Sequence, residues 1–182
     1  MPPAAAERRR LRFETIDDAV AEAERLVTAE REGRLGRVGN WTLGQALGHL
    51  AVWANFALDG YPPEVRAPLP VRLVLRLMRG RILDKGMMAG VKIGKTPGGT
   101  LGLDVLPPGE GLARFRAAMD RLRRSAPAGP NPVFGRLTHE QWIQLNLRHA
   151  ELHLSFQAPR QGASVAVERA VGARLVSPSR DR

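Results

Sequence analysis

The chain has 182 residues, 43% of them apolar, a size that fits one globular domain with tails. It contains no cysteine, which excludes a disulfide framework, a thiolate metal site and a thiol nucleophile; His, carboxylates, Ser or Thr must carry any chemistry. The net charge of +10 is an arginine excess, since Lys85, Lys92 and Lys95 are the only lysines, and aromatic residues at 5% are sparse for stacking nucleic-acid bases. Nucleic acid is therefore not an expected partner.

The segment 1–12 holds Arg8, Arg9 and Arg10 and reads as a flexible basic N-terminus. Glu14, Asp17 and Asp18 follow where a secretory signal would carry its apolar stretch. No apolar run approaches the roughly 20 residues of a membrane span, so a cytoplasmic protein without a membrane partner is expected.

The first helix starts at Thr15, whose hydroxyl can cap free amides while Asp17 and Asp18 favour the positive end of the helix dipole. Ile16, Val20, Ala23 and Val27 form its apolar stripe, and Gly33 stops it. The second starts at Thr42, with Gln45 completing a capping box; it carries Leu43, Leu47, Leu50, Ala54 and Leu58, and ends at Gly60. The connection 61–108 is too long for a plain loop. Within it, Pro70 to Leu83 reads as a shorter helix with Leu73, Val74, Leu77 and Met78 opposite Arg72, Arg76 and Arg79. A solvated arginine face is the expectation there, in preference to contact with an anionic membrane. The glycines from Gly86 to Gly102 then favour irregular backbone.

The next long helix, Gly109 to Ser125, carries Leu112, Phe115, Met119 and Leu122 at helical spacing. The last begins at Thr138, with Gln141 as a second capping box, and runs to about Gln157 before Pro159. No window alternates with period two, so strands are not expected. The reading is an all-α domain over 13–158, a four-helix bundle with a long helix-containing crossover between its second and third long helices. Residues 159–182, poor in apolar content, are expected to be disordered.

Two motif matches fail on inspection. Gly94-Lys95-Thr96 resembles the end of a phosphate-binding loop, but the required glycine is replaced by Ala89 and no strand precedes it. His149 and His153 carry Glu151 between them, which lies about 200° around the helix from His149 and cannot serve as a zinc protease's base.

Histidine placement is more informative. His149 and His153 are one turn apart on a face shared with Trp142, Leu145 and Phe156, and His49 sits among Ala46, Val52, Trp53 and Phe56. Three inward imidazoles are costly to bury alone, and one divalent ion satisfies all three. His139, in the first turn of its helix, is expected to be exposed and is not a ligand.

The stretch Asn40-Trp41-Thr42-Leu43-Gly44-Gln45-Ala46-Leu47-Gly48-His49-Leu50 resembles the second-helix motif of the DinB-like (YfiT-like) metal-dependent superfamily. Arg148-His149-Ala150-Glu151-Leu152-His153 resembles that family's last-helix His-x-x-x-His, and the likeness spans roughly Leu11 to Ala158. The long insert resembles a branch known only as a domain of unknown function. The resemblance implies a four-helix bundle and a His-triad site for zinc or nickel at His49, His149 and His153. It also implies a metal-dependent enzyme, of thiol S-transferase or hydrolase type, that activates a thiol or water, and a homodimer. The implied partner is a small-molecule substrate, with a low-molecular-weight thiol such as bacillithiol or mycothiol as cosubstrate.

Gln45 and Asn146, each one turn before a triad histidine, are candidates for orienting ligands or substrate. The family's glutamine after the last histidine has its nearest counterpart in Gln157. The glycine-rich stretch is placed to fold over the open face of the metal. The alternative is a non-catalytic metal-binding or stress-related protein on the same fold.

Overall fold

The computed structural model describes residues 8–65, 67–90 and 100–160. The phosphate-loop-like segment, Lys92, Lys95 and the expected disordered tail beyond Arg160 lie outside the described residues. Within them the chain is mostly helical, in the order α1 (Ile16–Arg31), β1 (Leu35–Arg37), α2 (Leu43–Asp59), a short 3-10 turn (Pro63–Val65), α3 (Leu69–Leu77), α4 (Arg79–Lys85), α5 (Pro108–Arg124), α6 (His139–Leu154) and β2 (Gln157–Pro159).

Start signals act as their residue types require. Thr15, Thr42 and Thr138 each accept a hydrogen bond from the amide three residues on, and Asp18, Gln45 and Gln141 return the bond to the cap amide. The four long helices then bury a common core: Ile16, Ala19, Ala23 and Leu26 of α1, Leu43, Leu47, Leu50 and Ala54 of α2, Phe115, Ala118 and Met119 of α5, and Leu147, Ala150 and Leu154 of α6.

α2 and α5 approach most closely, where small residues meet. A side chain on Gly111 would lie 3.0 Å from the carbonyl oxygen of Gly44 and 3.1 Å from Leu47. One on Gly44 would fall onto the main chain of Leu106, so the residues leading into α5 pass directly over the start of α2. No helix among the described residues is long and apolar enough to cross a membrane.

Four sequence expectations are revised. First, a two-stranded antiparallel ribbon forms, with Arg37 opposite Gln157 and Leu35 opposite Pro159. α6 accordingly stops at Leu154 instead of running on to Gln157, because Gln157–Pro159 pairs with β1. Pro159 is tolerated because a two-stranded ribbon leaves one edge of each strand unpaired.

Second, the N-terminal segment is docked from Arg8 onward. Arg9 donates from Nε to the carbonyl of Gln157 at 2.6 Å and from Nη2 to that of Leu154 at 3.1 Å, and pairs with Glu22 at 2.6 Å. Arg8 donates to the Ser155 hydroxyl at 2.7 Å and lies over the Phe156 ring. Two cations thus sit at the negative end of α6, where the dipole favours them.

Third, the expected crossover helix is split at Met78 into α3 and α4. α4 turns inward, putting Leu83 with Ala57, Leu122, Trp142 and Leu145, and Gln144 donates to the Leu83 carbonyl at 3.2 Å. α3 is oriented against expectation: Leu69, Leu73, Val74 and Leu77 are exposed, Leu77 to 80%, and none of its residues is buried.

Fourth, His139 is partly buried, and its Nε2 lies 2.6 Å from the Leu122 carbonyl near the end of α5. It ties two helices together and does not face solvent freely.

Candidate metal centre

α2 and α6 lie side by side and bring His49, His149 and His153 to one point. Nε2 of His149 is 3.1 Å from Nε2 of His49 and 3.0 Å from Nε2 of His153. One ligand atom from each of the three lies within 4.8 Å of the other two. Three nitrogens bound at about 2.1 Å would be roughly 3.0 Å apart on one face of an octahedron and about 3.4 Å apart in a tetrahedron. Among the described residues this is the one cluster of three metal-ligating side chains.

Proton accounting tests whether an ion fits. Nδ1 of His49 lies 2.7 Å from the carbonyl oxygen of Leu101, an acceptor only, so Nδ1 carries the proton and Nε2 presents a lone pair. Nε2 of His149 therefore faces one acceptor, and a second imidazole nitrogen on its other side. If it donates to His49, His153 can supply the proton for its own contact only by clashing with the His149 proton. If it accepts from His153, it opposes the lone pair of His49. No single protonation state makes two good hydrogen bonds, whereas a cation accepts all three lone pairs.

Burial prepares the ligands. His49 is 1% exposed. Burial first lowers its pKa from the ordinary 6.5 to about 4, partly offset by the Leu101 carbonyl. His153 falls to about 3, through burial first and then the nearby His49 and Arg8, and His149 is lowered strongly by burial and by its two histidine neighbours. All three rings are neutral at pH 7, so a metal need displace no imidazolium proton.

Aromatic rings fix the geometry. Trp41 stacks on His153 at 4.8 Å between centroids with 7° between planes, and meets His49 edge-on at 5.0 Å. Trp53 closes the other side, 5.7 Å from His49 and 5.8 Å from His149. His149, His153 and both tryptophans keep partial exposure, whereas His49 is buried.

The candidates for orienting ligands act less directly than their spacing implied. Gln45 accepts from the Thr42 amide through its side-chain oxygen and donates to the Leu103 carbonyl at 3.3 Å. It thereby holds the 101–103 strand of chain whose Leu101 carbonyl fixes His49. Asn146 donates to the Trp142 carbonyl of its own helix and makes no hydrogen bond to the triad. Gln157 does not join the cluster by hydrogen bond; it is buried and donates to the Trp41 carbonyl at 3.4 Å, behind the indole that stacks on His153.

Glu151 points elsewhere, as its place on the wheel requires. It accepts from the Phe13 amide at 2.6 Å and pairs with buried Arg148 at 3.2 Å. Burial raises its pKa, with the Phe13 amide opposing.

Leu101 carries no sequence signal as part of the site; Trp41 stands in the Asn40–Leu50 motif without a stated role, and Trp53 shows only its inward spacing. Gly102, with φ +77°, makes the turn that presents the Leu101 carbonyl, and a side chain there would meet Val52 at 2.9 Å. The end of the glycine-rich stretch thus meets His49 at Nδ1, behind the cluster and not over its open face; 91–99 lies outside the described residues.

No curated protein and no solved structure matches the chain. The family model described as "Protein of unknown function (DUF1569)" matches residues 5–160, and the chain belongs to that family.

Proposed function

We propose that the protein is a DinB-like metal-binding protein, a four-helix bundle with a crossover, in which His49, His149 and His153 hold zinc or nickel for a metal-dependent transferase or hydrolase reaction. The observation that carries this reading is the convergence of three Nε2 atoms, one with its lone pair fixed inward by Leu101, which no hydrogen-bonding scheme satisfies. The sequence resemblance at Asn40–Leu50 and Arg148–His153 supports the same residues.

A bound divalent ion at such a site lowers the pKa of a coordinated water or thiol and acts as a Lewis acid. The chain's own residues do the positioning: Trp41 and Trp53 hold the rings and supply apolar walls, and the Leu101 carbonyl sets the tautomer of His49. A thiol, where one reacts, comes from a low-molecular-weight cosubstrate, because the chain has no cysteine.

One observation favours the non-catalytic alternative. Among the described residues no carboxylate joins the cluster to serve as a base, and Glu151 is engaged with Phe13 and Arg148.

Elemental analysis of purified protein tests the metal. We expect stoichiometric zinc or nickel in the wild type and its loss in His49→Ala, with affinity lower by about three orders of magnitude. Wild-type protein that neither contains nor takes up either ion removes the basis of the proposal. Turnover with thiol cosubstrates, absent in His49→Ala, then separates enzyme from binding protein.

A further inference from the structure

A second feature lies away from the histidines, between α3 and the turn before α6. A hollow of about 490 Å³ there is lined by Arg76, Arg79, Pro130, Phe134, Gly135 and Arg136. It borders a hollow of about 520 Å³ that shares Pro130 and is lined by Arg72, Phe56 and Tyr61 among others.

The arginines here are gathered on one hollow without a carboxylate, whereas the other unpaired ones among the described residues, such as Arg31, Arg81 and Arg124, line neither hollow. Arg9, Arg25, Arg114, Arg116, Arg121, Arg123 and Arg148 each have a carboxylate within 4.0 Å. Among the described residues Arg72, Arg76, Arg79 and Arg136 have none, and Nε of Arg72 is buried without a partner. Asp59, on the wall of the larger hollow, is taken by Arg121.

Two of these side chains are held in place. Arg79 donates from Nη1 to the Arg136 carbonyl at 2.9 Å. The Arg76 guanidinium lies against Gly135, its Nε 3.2 Å from where a side chain would begin. The turn beneath them is braced by Asn131, 5% exposed, whose Oδ1 accepts from the amides of Val133 and Phe134.

Three guanidinium groups lining one hollow repel one another until an anion enters, and their forked donors match an oxyanion. A phosphate group, with close to two negative charges near neutral pH, offsets them better than a single carboxylate. Pro130 and Phe134 offer an apolar wall to the rest of such a ligand.

We propose that the hollow between α3 and residues 129–136 binds the phosphate group of a phosphorylated ligand through Arg76, Arg79 and Arg136. The site does not depend on the metal reading. Its phosphate belongs to a free small molecule or to a lipid headgroup; in the second case the exposed Leu69, Leu73 and Leu77 of the same helix stand beside the bilayer.

Calorimetric titration of the full chain with inorganic pyrophosphate is the test, at constant ionic strength and with chloride as control. Saturable binding is expected, weakened about tenfold or more in Arg76→Gln and in Arg136→Gln, and unchanged in His49→Ala. Binding no tighter than chloride's overturns the proposal, as does wild-type affinity in both arginine variants or loss in His49→Ala. Arg136 is exposed, so its variant carries the test if Arg76→Gln does not fold.

Co-sedimentation with phosphatidylcholine vesicles, with and without phosphatidic acid, assigns the source. Binding only to the acidic vesicles, competed by pyrophosphate and lost in Arg136→Gln, places the phosphate on a lipid. Pyrophosphate binding without vesicle binding places it on a free molecule.

Discussion

α2 and α3 are both amphipathic on paper, and the molecule treats them oppositely. α2 turns its leucines into the common core and carries Gly44, Gly48 and His49 on surfaces pressed against α5, Leu106 and α6. α3 turns its leucines out and its Arg76 toward a braced turn. Periodicity assigns residues to a face, whereas the neighbouring chain decides which face is covered. For α2 the neighbours are apolar helices; for α3 the neighbour of Arg76 is the glycine turn at residue 135, which suits a guanidinium group. The two helices should therefore respond to substitution very differently.

The largest expected effect is at the crowded end of α2. Gly44→Ala would drive a methyl group into the main chain of Leu106, which has no flexible end to yield. We expect a loss of about 4 kcal/mol in denaturant unfolding, or failure to fold. A variant of wild-type stability would show that the chain entering α5 does not rest on α2.

Acid comes next. His49 has its pKa lowered from 6.5 to about 4, so below pH 6.5 the unfolded chain takes up a proton that the folded chain refuses. In metal-free protein the His49 contribution to stability should fall from pH 6.5 down to about 4, by on the order of 3 kcal/mol, and level off below. His153 extends the decline to about pH 3. His49→Gln should flatten the upper part of that slope in urea unfolding, and an unchanged slope would mean that His49 is not buried neutral.

Trp41→Ala removes the ring stacked on His153 and half the enclosure of His49. Metal affinity should drop about tenfold, since the ligands remain and only their orientation loosens. Titration with a competing chelator measures it; a loss as large as that of His49→Ala would make Trp41 part of the fold's support and not merely of the site's.

The smallest effect belongs to α3. Leu73→Ser and Leu77→Ser alter side chains 62% and 80% exposed, so unfolding free energy should shift by no more than about 0.5 kcal/mol. A shift several times larger would show that this face is covered in solution and that its contrast with α2 is only apparent.

How much of this could be read in advance differs by kind of interaction. Thr15, Thr42 and Thr138 announced their helices because capping is local, settled within four residues. His149 and His153 announced a shared face by their spacing, and His49 by its apolar neighbours. Leu101 could not be read, because its contribution is a carbonyl that every residue has and only a fold can aim. Trp41 precedes its helix and belongs to no periodic pattern. The β1–β2 ribbon is three residues long on each side, too short to alternate visibly. Arg8 and Arg9 read as part of a flexible basic N-terminus because their partners at residues 154–157 lie far along the chain.

The three histidines are unequal in chain distance: His149 and His153 are four positions apart, while His49 is 100 positions from His149. An ion held by all three would stitch the chain across that span in a protein without a single disulfide, removing loop-closure freedom from the unfolded ensemble as a cross-link does. The nearby pair can capture an ion even on an unfolded chain, but the third ligand arrives only when α2 has found α6. The gap between two-ligand and three-ligand affinity is then a direct gauge of long-range assembly, so a metal titration of this protein doubles as a measurement of its folding.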